Sequence, residues 1–333
     1  MRIKNTIPLG PLRLVDYVAD DASLLLINAN PRIDIITLEY ENMGMVNRYN
    51  VGTEPHLYSD IALDNSCIYL PTKIGHILAV DKFSGQVLDA INLGSAHISS
   101  DLIQHNDSLY CIAGIPINTG HNILFDKYSL IICNINTGKK EIQSRYFEGN
   151  PSFISLGNEA IWVIGNTSLL KFSLLGEFLG EINTGITPSC SPLITQNHVV
   201  CISKDGHLKV YDCSSLIEYA SFQAKPCLSS PLNLDCGLVW MNNNGICIVD
   251  IHTKVFRTIE TNRTMSNSAV TIDSSTVVGC DSSGFLIVFD TEGNSIDVLK
   301  LADNELFKPV KVENFLFVSS GTSLHQIEVK NAL

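Results

Sequence analysis

The chain has 333 residues, 45% of them hydrophobic and 17% charged, ample for a large core. Its 34 acidic and 22 basic side chains give a net charge of −12 with no Lys/Arg cluster, a balance that repels nucleic acid and anionic membrane surfaces. No apolar run approaches a membrane span, the first residues lack the apolar stretch of a signal peptide, and the ten cysteines form no CxxC or zinc-finger spacing. The cysteines therefore read as reduced, buried small hydrophobes and the protein as cytoplasmic.

In chain order, the first expected element is a strand over 2–10, RIKNTIPLG, whose pattern and ending match QVLDAINLG at 86–94. From there a segment of roughly 40 residues recurs. Its clearest copies are GHILAVDKFSGQVLDAINLG (75–94), GHLKVYDCSSLIEYASFQA (206–224), GICIVDIHTKVFRTIETN (245–262) and GFLIVFDTEGNSIDVLKL (284–301). Each opens on Gly, follows an alternating apolar strand to Asp, turns, and enters a second strand. Several short strands per repeat define an all-β propeller, with four antiparallel strands per blade, A innermost to D outermost. The D strands are expected to end near Gly52, Gly94, Gly149, Gly185, Ala224, Asn262 and Leu301. Three more strands follow, at 308–312, 315–321 and 323–331, and the fourth is missing. The N-terminal strand 2–10 supplies it, which closes the ring and removes open sheet edges. This count gives one eight-bladed domain over 1–333; seven blades is the alternative, if the weakest unit, 150–186, merges with a neighbour.

Strand C ends on an acid or small acceptor in every unit: Glu39, Asp81, Asn134, Ser173, Asp212, Asp250, Asp290 and Glu328. A repeated carboxylate invites a catalytic interpretation, but a short acceptor at a strand end caps the following turn through its N–H groups.

HILAVDKFSGQVLDA (76–90) copies much of the pattern GxLxAxDxxTGxxxW, and on it the chain resembles the pyrroloquinoline-quinone-like (quinoprotein-like) repeat propellers over nearly its full length. The resemblance implies an eight-bladed ring. In the dehydrogenases of that group it also implies Trp docking motifs, the quinone and calcium; other members are lyases, assembly factors and protein-binding scaffolds. Only Trp162 and Trp240 exist here, the Trp place after SGQVLDA is empty, and no vicinal cysteine pair occurs. Pyrroloquinoline quinone is therefore not expected.

In a propeller the D–A and B–C connections open on one face, at the mouth of the central channel. Two neighbouring D–A segments share a pattern, His56-Leu57-Tyr58-Ser59-Asp60 and His97-Ile98-Ser99-Ser100-Asp101. Converging imidazoles beside carboxylates suit acid–base chemistry or a divalent metal. The candidate set is His56 or His97 as general base, Tyr58 or Lys308 as donor, and His56 with His97 as metal ligands. Asp60, Asp101, Ser99, Cys190, Cys227 and Asn267 are candidates to contact a ligand. The plainer alternative is a polar lining repeated because blades repeat. A second signal is the B–C connection GIPINTGHNILFDK (114–127), an insertion loop holding His121 and Phe125 where other blades have tight turns. It reads as a lid, a partner-docking loop or a tolerated insertion. His105, His198, His252 and His325 carry no pattern. The expected function is binding of a small ligand or protein partner at the mouth face; the alternative is a lyase or cyclising enzyme working in the channel.

Overall fold

The structure is a computed structural model that describes the chain apart from residues 10–13, 21–22, 30–32, 52–60, 73–74, 119–122, 145, 148–150, 227–229, 236, 291, 293, 305, 321 and 330–333. The strands form eight antiparallel sheets, one per repeat. The molecule is thus an eight-bladed β-propeller. The unit at 150–186 is a complete blade of its own, with strands Pro151–Gly157, Ala160–Gly165, Ser168–Ser173 and Phe178–Asn183. That overturns the seven-blade alternative. This blade lacks the Gly–Asp signature, yet Trp162 at the centre of its strand B is fully buried and anchors it.

The radial order of each blade follows from its apolar content. Strands B and C are covered on both faces and read as unbroken apolar runs, such as Cys67–Pro71 and Ala160–Gly165, where every residue is buried. Strand D is the outer edge and alternates, as in Lys139–Gln143. The core is correspondingly divided. Eight apolar clusters lie one at each junction between neighbouring blades, and the last joins Leu24 and Leu26 of blade 1 to Phe317 and Leu324 of blade 8.

The ring closes as the sequence predicts. Arg2–Pro8 pairs antiparallel with Ser323–Glu328 and completes the blade formed by Phe307–Val312 and Phe315–Ser319. Polar side chains fix this register. Asn5 Nδ2 donates to Gln326 Oε1 at 2.7 Å, and Thr6 Oγ1 meets His325 Nδ1 at 3.1 Å. Gln326, fully buried, also donates to the Tyr40 carbonyl and so ties blade 8 to blade 1.

The eight strand-end acceptors are the last residues of the eight C strands. Asp81 Oδ1 takes the N–H groups of Phe83 and Ser84 at 3.1 and 2.6 Å, and Asp212 Oδ1 takes those of Ser214 and Ser215 at 3.0 and 2.7 Å. Asp250, Asp290, Asn134 and Ser173 make the same kind of bond. Turn N–H groups, Ser84 and Ser215 foremost, hold Asp81 and Asp212 below the usual carboxylate range. These carboxylates build turns and are engaged in doing so. Strand D of blade 3 runs over Lys139–Gln143 and pairs with strand C again at Phe147, opposite Tyr128; the expected end at Gly149 lies outside the described residues.

Candidate functional site

The mouth face is built by stitching each B–C turn to the segment that leaves the same blade. Leu93 N–H donates to the Gly75 carbonyl at 2.9 Å, Ala224 to Gly206 at 2.8 Å and Leu301 to Gly284 at 2.9 Å. This contact explains the glycine of the repeat. Gly75, Gly206 and Gly284 have φ of 76°, 90° and 85°, and a Cβ there would lie 2.6, 2.4 and 2.1 Å from the Ala96, Ala224 and Ala302 carbonyl oxygens. Only glycine fits the left-handed turn and the approach of the neighbouring backbone.

The innermost strands lose regular pairing near the mouth. Register shifts fall between Leu14 and Asp16, Pro151 and Phe153, Met265 and Ala269, and Phe307 and Val310. In blade 3 the strand is split into His97–Ile98 and Ile103–His105. Such bulges re-aim side chains at the rim of a barrel. Asn267 and Lys308 sit on these irregular stretches. Ser99 is held by strand B of its own blade: its N–H and Oγ both donate to the Ile112 carbonyl, at 2.9 and 3.3 Å. Ser189 repeats this on Ile202 at 2.9 and 3.1 Å, so Ser99 and Ser189 are equivalent, as are Ser100 and Cys190. Cys190 is half-buried against the apolar cluster between blades 5 and 6. Asp101, also half-buried, follows Ser100, whose Oγ donates to the Asp101 carbonyl at 2.9 Å. His56, Tyr58, Asp60, His121 and Cys227 lie outside the described residues. His97 is the described member of the His56 and His97 pair. It lies opposite Gly114 on strand B, and its Nδ1 is buried with no hydrogen-bond partner among the described residues.

The expected insertion loop is paired structure. Strands B and C of blade 3 run over Ser108–Asn118 and Ile123–Asn134, and their ladder continues to Asn118 opposite Ile123. The segment is a two-stranded ribbon that extends the blade beyond the mouth. The alternation was hidden in the sequence by Pro116, which sits at a register shift. Phe125 packs at the ribbon base, 5.6 Å from the Tyr128 ring and over Gly114, where a Cβ would meet the Phe125 ring at 2.6 Å. Its ring closes the core between blades 3 and 4. Ile117, farther out, keeps 44% exposure. Among the described residues no third strand pairs with Ile115–Asn118 or Ile123–Lys127.

A cleft of 680 Å³ between blades 6 and 7 reaches the same face and carries no sequence motif. Ile287, Phe289 and Val298 form apolar lining, and Arg263 stands at its side. The guanidinium lies 3.8 Å from the Phe285 ring centre and donates to Asp281 Oδ2 at 3.0 Å. Asp281 is 1% exposed and also accepts from the Ser283 and Phe285 N–H groups at 2.9 and 2.7 Å. The two tryptophans contribute nothing to this face. Trp162 and Trp240 are fully buried in the apolar clusters between blades.

With this geometry the chain is similar in fold to two solved structures. The computationally designed Ika8 protein superposes with a TM-score of 0.78 at 10% identity, covering 99% of this chain and 100% of its own. BamB from Moraxella catarrhalis superposes with a TM-score of 0.71 at 15% identity, covering 98% of this chain and 99% of its own. Both likenesses define the class, an eight-bladed propeller, and stop at the fold. No protein-family model and no curated protein matches the sequence.

Proposed function

We propose that this propeller is a binding scaffold that engages a protein partner at its mouth face, with the blade 3 ribbon as its leading contact. The observation that carries the reading is the ribbon itself. It extends beyond a rim whose other described B–C connections are tight turns, keeps an apolar side chain at Ile117 in solvent, and offers backbone edges with no described strand beside them. Such edges template the pairing of an extended segment from another chain. The charge of −12 favours a partner with a basic surface around its apolar contact.

A photo-crosslinking side chain at position 117, with position 217 on the opposite face as control, tests this in extract of the source cells. The expected result is a discrete protein adduct from 117 alone that Ile117→Asp competes for poorly in pure form. Equal labelling from both positions sinks the reading. The rival, a lyase or cyclising enzyme, draws on the buried Nδ1 of His97, which has no hydrogen-bond partner among the described residues. It requires turnover that His97→Ala abolishes and Ile117→Asp spares.

A further inference from the structure

A second pocket, of 400 Å³, lies on the face opposite the mouth, between blades 5 and 6. Three turns build it: the A–B turn of blade 5 that ends at His198, the A–B turn of blade 6 that carries Asp235, and the C–D turn of blade 6 that carries Asp250 and His252. The two imidazoles face one another across the blade junction, ring centres 6.3 Å apart and planes inclined at 67°. No ring nitrogen of either has a hydrogen-bond partner among the described residues.

Each ring is backed by the fold. His198 packs on Tyr219 at 4.6 Å between ring centres, and Lys254 covers the same tyrosine at 5.6 Å. His198 is also the cross-strand partner of Asp212, whose Oδ1 is taken by its turn while Oδ2 has no partner among the described residues. His252 follows the Asp250 cap by two positions and its N–H donates to Asp250 Oδ1 at 2.8 Å. Turn hydrogen bonds from Ser214 and Ser215, and from His252 and Thr253, fix the Asp212 and Asp250 carboxylates in place. Imidazole nitrogens beside fixed carboxylates are a donor set that a borderline divalent cation selects.

We propose that His198 and His252 form a two-imidazole site for a divalent transition-metal ion such as Zn²⁺ or Cu²⁺, joining blade 5 to blade 6. Among the described residues no three His, Cys, Asp or Glu side chains already stand as a coordinating group. The ion is therefore taken by the two rings, with water or Asp212 Oδ2 completing the shell. Imidazoles on one tetrahedral ion stand about 5 Å apart between ring centres, given Zn–N of about 2.0 Å. Rotation of the exposed His252 supplies the remaining closure. The proposal is independent of the mouth-face reading, since the two sites occupy opposite faces.

The test is calorimetric titration of Zn²⁺ into the full chain, with electron paramagnetic resonance of the Cu²⁺-loaded protein. The expected result is saturation at one ion per chain and hyperfine coupling to two nitrogens. His198→Ala and His252→Ala should each raise the Kd at least about tenfold, the scale on which even outer partners of metal sites act. His207→Ala, on the mouth side of blade 5, should leave it unchanged. His198 opens a strand and His252 lies in a turn, and matching thermal midpoints confirm that the variants fold. Absence of saturable binding to the wild type, unchanged Kd in both variants, or a copper spectrum without nitrogen coupling overturns the proposal.

Discussion

A single atom decides the most regular residue in this chain. At Gly284 a Cβ would stand 2.1 Å from the Ala302 carbonyl oxygen, on a backbone already at φ 85°. Gly284→Ala should therefore cost about 1–3 kcal/mol from the left-handed conformation alone, and more from the displaced carbonyl. Urea denaturation measures it; a loss under about 0.5 kcal/mol would show that the turn has another way to form. The same physics made the repeat readable. Gly75, Gly206, Gly284 and the aspartates at strand ends answer to contacts within one blade, so their spacing carries the fold directly. Site residues answer to contacts between blades. His198 opens a B strand and His252 sits in a C–D turn, so comparing equivalent positions never pairs them. The Arg263–Asp281 pair at the blade 6–7 cleft escapes for the same reason. The mouth-face pattern of His56 and His97 was visible because it repeats, and repetition is a property of blades before it is a property of sites.

At the scale of elements, the blade 3 ribbon separates two kinds of apolar residue. Phe125 fills the space over Gly114 and beside Tyr128, whereas Ile117 points its surface at solvent. Phe125→Ala should destabilise the blade by about 1–2 kcal/mol, less than a fully buried phenylalanine, because the ring is half-exposed. Ile117→Asp should stay within about 0.5 kcal/mol of wild type in the same denaturation experiment. Equal losses at both positions would place Ile117 in the core and remove the main support for a docking ribbon. The sequence announces this element as a long connection and hides its pairing. A ladder that passes through Pro116 with a shift in register breaks the period of two from which strands are recognised.

The whole ring depends on one seam, and that seam contains a titratable group. His325 is 4% exposed and touches Thr6 and Ser320 through its two nitrogens, at 3.1 and 3.2 Å. Burial lowers its pKa below the ordinary histidine value. The unfolded chain therefore takes up the proton first, near the ordinary histidine value of 6.5, while the folded chain resists it. Stability is full above that pH and declines as pH falls from it toward the folded value, by about 1.4 kcal/mol for each unit separating the two. Unfolding free energies at pH 8 and pH 5.5 should differ in the wild type and converge in His325→Gln, once the contribution of other groups common to both proteins is subtracted. An equal pH slope in the two proteins would place the acid sensitivity elsewhere.

The same seam sets a clock on biosynthesis. Asn5 and Gln326 bond across 321 positions of chain, so strand Arg2–Pro8 pairs only after seven blades have been made. At about 5–20 residues per second on the ribosome, the opening segment waits roughly 15 to 65 s for its partner to be translated. Blades 1 to 7 have their strands in order during that interval and can assemble as an arc. The arc becomes a ring only when Ser323–Glu328 is free to pair with Arg2–Pro8, so a chain stalled before Ser323 carries open sheet edges at the seam.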